Sequence, residues 1–171
     1  MNDWHVILEK HGVKVWRTVY RILADHNDAL DCYQDTFLAL YRSPPQVQVL
    51  DWGAYLTTLA ARRAIDRLRE RVRAREMVKV LSQAPAPVSR EISPADHAAS
   101  TELLEQVRRA LTDIPERQAE VFWLSSVEGL SHDQIASQLR TSPGAVRVLL
   151  HRARSALAVA LKPTASEWRI P

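Results

Sequence analysis

One cysteine, four glycines and an aromatic content of 6% are the scarcities of this 171-residue sequence. A single cysteine, Cys32, excludes an internal disulfide framework and points to a reducing compartment. Few glycines and few aromatics argue against an all-β architecture and for a helical one. No stretch approaches the roughly 18 consecutive apolar residues that a bilayer span requires. The opening MNDWHVILEK lacks a basic start followed by an apolar run, so neither a signal peptide nor membrane insertion is expected, and the expected location is cytoplasmic. The histidines at 5, 11, 26, 97, 132 and 151 are scattered without H-E-x-x-H spacing, and no glycine-rich phosphate loop is present. His26 and Cys32 supply two ligands at most, short of a metal site, and Cys32 has no activating partner nearby in sequence. No metal, no cofactor and no intrinsic catalysis are expected.

What is present is a soluble, core-forming composition, 46% hydrophobic and 25% charged, with a formal charge of +3 and a pI near 9.3. So small a basic excess decides nothing about nucleic acid, and charge placement must. Three zones emerge. Residues 10–78 read as helices, with Val15, Val19, Ile22 and Leu23, then Ala29, Tyr33, Phe37, Leu40 and Tyr41 at helical spacing. Ser43, Pro44 and Pro45 stop that run. A long basic helix from about Ala54 to Met77 follows, with Ala61, Ile65, Leu68 and Val72 as its apolar line. Residues 82–100 carry Pro85, Pro87 and Pro94 without apolar period and read as a linker. Residues 101–162 are helical again, and 163–171 read as a tail. The expected fold is all-α: two small helical domains, residues 1–78 and 101–162, joined by a proline-containing linker at 79–100.

The second zone is the better punctuated. Leu103, Leu104, Val107 and Leu111 mark one helix, Pro115 suits the first turn of the next, and Gly129 ends it. Ser131 opens a capping box with Gln134, predicting a short helix over HDQIASQL. The turn Arg140–Thr141 leads to Ser142 as N-cap, with Pro143 at the first helical position. Two helices with a tight turn, and Ala136 facing Val146 and Leu149, describe a helix-turn-helix. On the last helix Val146, Leu149, Leu150, Ala153 and Leu157 share one side; Gly144, Arg147, Val148, His151, Arg152 and Ser155 share the other. From Gln134 to Ser166 there is no acidic residue, which avoids repelling a polyanion. Arginine on the outward side suits guanine edges and phosphates. A plain helical hairpin with a solvated basic face is the alternative.

Two charge stripes mark the first zone. Asp25, Asp28, Asp31 and Asp35 fall on one helix face, with no lysine or arginine between Arg21 and Arg42. Such a face repels DNA and suits a basic protein partner, or is simply solvated. The later helix crowds Arg62, Arg63, Arg67, Arg69, Arg71, Arg73 and Arg75 together, preceded by Trp52 and Tyr55. Cations beside aromatic rings suit single-stranded DNA, where stacking contributes roughly 1–3 kcal/mol per base. The alternative is that the two rings belong to the core.

Together these pieces resemble a bacterial RNA polymerase sigma factor of the sigma-70 family, extracytoplasmic-function (ECF) group. DALDCYQDTFLALYR resembles the segment that binds the clamp of the polymerase β′ subunit. WGAYLTTLAARRAIDRLR resembles the next segment, usually A-W-L…A-R-N…A-I-D-x-L-R, which opens and reads the −10 element. LTDIPERQAEVFWLSSVEGLSHDQIASQLRTSPGAVRVLLHRARSAL is similar to the −35-reading domain. The resemblance covers about residues 10–161 and implies roles. Asp31, Gln34, Asp35 and Leu38 would contact core polymerase. Trp52, Tyr55, Arg62, Arg63, Arg67 and Arg71 would engage the −10 region of promoter DNA. Ser142, Arg147, Val148, His151 and Arg152 would engage the −35 element. Residues 1–78 would be the sigma region 2-like domain and 101–162 the region 4-like domain. An anti-sigma factor is an implied regulator, and the tail with Trp168 a place it could touch. Three positions depart from the pattern: Tyr55 where tryptophan is frequent, Arg62 where asparagine is common, and Arg140 where glycine is usual. A left-handed arginine there costs roughly 1 kcal/mol. The competing reading is a helix-turn-helix regulator that works without core polymerase.

Overall fold

The computed structural model describes residues 4–46, 48–82 and 98–161. The linker prolines Pro85, Pro87 and Pro94, Lys162 and the tail with Trp168 lie outside the described residues. Seven helices and no strand occur among the described residues: α1 (Trp4–Leu23), α2 (His26–Arg42), α3 (Trp52–Ser82), α4 (Ala98–Asp113), α5 (Glu116–Ser126), α6 (His132–Leu139) and α7 (Pro143–Ala160). No helix among them is long and apolar enough to cross a membrane.

The apolar period through residues 15–41 conceals a break. Ala24 takes a left-handed conformation, φ 49°, its N–H bonding the Tyr20 carbonyl at 2.8 Å. Asp25 then caps α2, its side chain accepting from the Asp28 N–H at 2.9 Å. An alanine gives no sequence sign of a turn that usually selects glycine. Helix α3 begins after Asp51, whose Oδ1 accepts from the Ala54 N–H at 2.9 Å, and it continues five residues past the expected end at Met77.

Helix α3 is the axis of the molecule. The single apolar line expected from Ala61, Ile65, Leu68 and Val72 is too narrow a description. Ala54, Leu56, Ala60, Ala61, Ala64, Ile65 and Leu68 are all buried, and so are Thr57 and Thr58. A helix buried around most of its girth has neighbours on both sides. One side of α3 packs on α1 and α2, and the other packs on α4, α5 and α6. Val15, Val19, Ile22 and Leu23 of α1 are fully buried, each contributing about 1.5–3 kcal/mol by removal from water.

In the C-terminal half α5 packs on α7, and Trp123, Val121 and Leu124 fill the space between the helices. Pro115 stands one residue outside α5, at the N-cap, rather than inside its first turn. Gly129 has φ +70°, and the Leu130 N–H returns to the Leu124 carbonyl at 2.9 Å, so the chain reverses there.

Candidate nucleic-acid interface

The helix-turn-helix is built from its caps. Ser131 Oγ accepts from the Gln134 N–H at 3.1 Å, and Gln134 Oε1 accepts from the Ser131 N–H at 2.9 Å, completing the capping box of α6. At the far end Arg140 lies at φ 51°, ψ 52°, the left-handed geometry that lets the Thr141 N–H reach the Ala136 carbonyl at 2.9 Å. Ser142 caps α7 by accepting from the Ala145 N–H at 3.1 Å, with Pro143 in the first turn. Ala136, Ile135 and Leu139 are buried against Val146 and Leu150, and Leu149 is half-buried at the edge of that contact. Arg117 of α5 donates to the Leu139 carbonyl at 2.8 Å and closes the C-terminus of α6.

This packing sets the outward face of α7. Gly144, Arg147, Val148, His151, Arg152 and Ser155 are all exposed, while Val146, Leu150, Ala153 and Leu157 are buried behind them. Two guanidinium groups, an imidazole and an isopropyl group therefore stand on one ridge. Such a ridge can donate to base edges and phosphates and touch a thymine methyl.

The acidic face of α2 is real, but it is not unneutralised. Asp31, Gln34, Asp35 and Leu38 are exposed together along one line. The neutralising charge arrives from α3, some forty residues on. Arg67 bonds Asp31 at 2.9 Å and Asp28 at 3.3 Å, and stands 3.9 Å from Asp35. Its carboxylate partners raise the Arg67 pKa against the opposing effect of burial. Arg71 pairs with Asp28 at 3.0 Å and also donates to the Leu23 carbonyl at the end of α1, 2.8 Å away. Tyr41, expected in the core series, is 73% exposed and extends this face beside Leu38.

The six residues assigned to the −10 region do not form one surface. Arg62 is exposed on the side of α3 that meets α5, 3.8 Å from Glu116. Arg63, Arg67 and Arg71 follow at four-residue intervals about 100° round the helix, toward α1 and α2, and are each only partly exposed. Trp52 and Tyr55 are half-buried. Trp52 meets Trp4 edge-on at 5.9 Å, and Tyr55 at 5.8 Å. The rings thus serve the core on one side and show an edge on the other. Leu50, 91% exposed in the loop before α3, is the protruding apolar group of this region. The periodicity did not single it out because it belongs to no helix.

Cys32 is buried, and burial pushes its thiol up to about 11, which makes it a core residue rather than a nucleophile.

Two family models match the chain: sigma-70 region 2 over residues 7–74 and sigma-70 region 4 over residues 104–157. The ferric citrate uptake sigma factor FecI of Escherichia coli is 30% identical over 147 residues, covering 84% of this chain and 81% of FecI. The sigma factor CarQ of Myxococcus xanthus is 30% identical over 150 residues, 85% of this chain and 82% of CarQ. The ECF sigma factor SigE of Mycolicibacterium smegmatis is 27% identical over 169 residues, 98% of this chain; the chain spans 65% of the length of SigE. Among solved structures, CnrH in complex with the cytosolic domain of CnrY aligns with a TM-score of 0.61 at 21% identity, over 94% of this chain and 88% of CnrH. RpoE in complex with the anti-sigma factor NepR, from Bartonella quintana, aligns with a TM-score of 0.57 at 22% identity, over 95% and 98%. These two show a shared fold. With two region matches in the family's order and relatives at 30% identity over most of their length, the chain belongs to the sigma-70 family of RNA polymerase sigma factors, in the ECF group: a promoter-directing initiation factor and not an enzyme.

Proposed function

We propose that the chain divides its work among α2, two faces of α3 and α7. Asp31, Gln34, Asp35 and Leu38 of α2 grip the β′ clamp of core polymerase. Arg62, Arg63, Arg67 and Arg71 of α3, with Trp52 and Tyr55 at its start, hold the −10 region. Ser142, Arg147, Val148, His151 and Arg152 of α7 engage the −35 element. Residues 1–78 act as the region 2-like unit and 101–162 as the region 4-like unit, with residues 79–100 as linker. The observation that carries this reading is the α7 ridge. Its outward positions are exposed, its inward positions are buried, and no carboxylate follows Asp133 in the described part of the helix-turn-helix. Arginine at 147 and 152 would fix register on phosphates and guanine edges. The site of action is the cytoplasm, where polymerase and promoter meet. CnrH and RpoE were each solved with a second protein bound, and an anti-sigma factor is the partner of that kind proposed here.

Transcription of a genomic fragment library by core polymerase, with and without the chain, is the test. New start sites sharing two elements upstream are expected; none appearing overturns the reading. Asp35→Arg is expected to lose core polymerase in a pull-down while keeping its helical signal, and unchanged capture would remove Asp35 from the clamp contact.

A further inference from the structure

Helix α1 carries a line of cations that the clamp, −10 and −35 assignments leave unused. At 100° per residue, Lys10, Lys14, Arg17 and Arg21 fall within about 60° of one another and run about 16 Å along the helix. All four are exposed, and Glu9 is the one acid of α1. Among the described residues none of the four is ion-paired with a carboxylate. The α3 arginines differ in this respect, since Arg67 and Arg71 are already paired with Asp28 and Asp31.

Rings flank the line. Val13, Trp16 and Tyr20 lie together on one side of it. Tyr20 stacks on the half-buried Trp16, centroids 5.9 Å apart and planes 24° apart, and remains 42% exposed, so Trp16 supports the ring without closing it off. His26 at 5.4 Å and Tyr33 at 5.9 Å brace Trp16 edge-on. Gly12 permits this bracing, because a Cβ there would meet the Tyr33 hydroxyl oxygen at 2.8 Å. Val13, 64% exposed, continues the apolar edge.

The N-terminal part of α1 abuts the start of α3. Trp4 meets Trp52 at 5.9 Å, and Lys14 shares a cleft with Asp51, Gly53 and Glu128. The two carboxylates of that cleft have other partners. Asp51 accepts from the Ala54 N–H at 2.9 Å and from Gln134 Nε2 at 3.2 Å, and Glu128 accepts from the Trp123 indole N–H at 3.1 Å. A row of uncommitted cations beside a supported, open ring is the pattern that single-stranded nucleic acid requires: the cations hold phosphates, and the ring stacks on an unpaired base. An acidic protein partner would meet the cations but has no use for a stacking platform.

We propose that the outer face of α1 is a further single-stranded DNA surface, on which Lys10, Lys14, Arg17 and Arg21 hold phosphates of the opened promoter and Tyr20 stacks on one of its bases. The surface continues from the aromatic start of α3, where Trp4 touches Trp52, and extends the DNA path along α1. It rests on the reading that the chain engages opened promoter DNA. Each phosphate of a single strand neutralised by such a cation contributes about 0.7 to the slope of log affinity against log salt.

The test titrates the full chain with a fluorescent oligothymidine of about 20 nucleotides, long enough for several phosphate contacts, over a range of salt. Lys10→Gln/Arg17→Gln is expected to reduce the salt slope by about 1.4. The charge-matched Arg42→Gln/Arg109→Gln, at exposed positions of α2 and α4, is expected to keep the parent slope. Tyr20→Leu is expected to bind oligothymidine about tenfold more weakly while binding an abasic strand of equal length as the parent does, and Tyr20→Phe is expected to match the parent on both. Circular dichroism checks that helicity is kept, and Lys14→Gln/Arg21→Gln, with the same slope change expected, replaces the first double variant if it does not fold. Equal slopes in the α1 and control variants overturn the proposal. So does a Tyr20→Leu loss that is the same on both strands, or absent from both. Loss of core polymerase by the α1 variant in a pull-down, with its oligothymidine slope unchanged, would make this face a protein contact and also overturn it. Failure of the sigma reading itself is seen separately, by transcription with the parent chain and core polymerase.

Discussion

Arg140 is a residue whose side chain and backbone pull in opposite directions, and replacing it separates the two. Its φ of 51° and ψ of 52° put it in the left-handed region at the end of α6. For an L-residue with a Cβ this conformation costs about 1–2 kcal/mol. Arg140→Gly removes that cost and gives back about 0.4–1 kcal/mol through the greater freedom of glycine in the unfolded chain. The net expectation is a stabilisation of about 1 kcal/mol, or about 2–4 °C in melting temperature for a chain of this size. Arg140→Ala is the decisive control, because alanine keeps the Cβ clash and loses the charge; it is expected to melt close to the parent. Ala24, at φ 49°, supplies an independent site remote from α7, and Ala24→Gly is expected to stabilise similarly. Thermal unfolding followed by circular dichroism reads all three. If Arg140→Ala and Arg140→Gly shift together, or if neither glycine variant melts higher, backbone strain is not what these positions bear. The same Arg140→Gly protein is expected to lose up to about one phosphate contact in the salt dependence of −35 DNA binding, since the turn precedes the α7 N-terminus.

Ser131→Ala removes one half of the capping box and is expected to destabilise by about 1 kcal/mol, measured by urea denaturation; an unchanged midpoint would show that water replaces the cap. Burial pushes the Glu120 carboxyl above its ordinary value, against the pull of Arg117. A raised folded-state pKa means the protonated form stabilises the fold. That contribution is full below the unfolded value of 4.5 and is lost as pH rises through the folded value. Glu120→Gln is therefore expected to melt higher than the parent at pH 7 and to lose the advantage near pH 4; an equal shift at both would refute the linkage. With its thiol near 11, Cys32 is about one part in a thousand thiolate at pH 8, so alkylation of the folded protein by iodoacetamide is expected only at the rate of unfolding. Fast modification of the native chain would contradict its burial.

The local devices of the helix-turn-helix were legible in the residues themselves. Ser131 with Gln134, Ser142 with Pro143, and the 3.6-residue alternation along α7 act over four residues or fewer, so their geometry follows from spacing alone. The A-I-D-x-L-R run and the region 4 motif carried the family for the same reason: each is a contiguous stretch. Chain distance is what hid the rest. The break between α1 and α2 was invisible because Ala24 adopts a conformation its type does not advertise. The acidic face of α2 looked unneutralised because its cations, Arg67 and Arg71, come from α3, 36 residues beyond Asp31 and 43 beyond Asp28 respectively. Trp52 and Tyr55 read as DNA contacts with a core role as the alternative, and the structure makes them partly core.

What the sequence determined by itself was an all-α chain with a helix-turn-helix whose last helix starts at Pro143, and the family to which it belongs. Only tertiary structure decided that α3 is wrapped on both sides, that Arg67, Arg69 and Arg71 are divided between an acidic neighbour and helix ends, and that the halves pack on each other. Hydrogen bonds within a turn are encoded by neighbours in the chain. Guanidinium groups reaching carbonyls and carboxylates across the fold are encoded only by how whole helices pack.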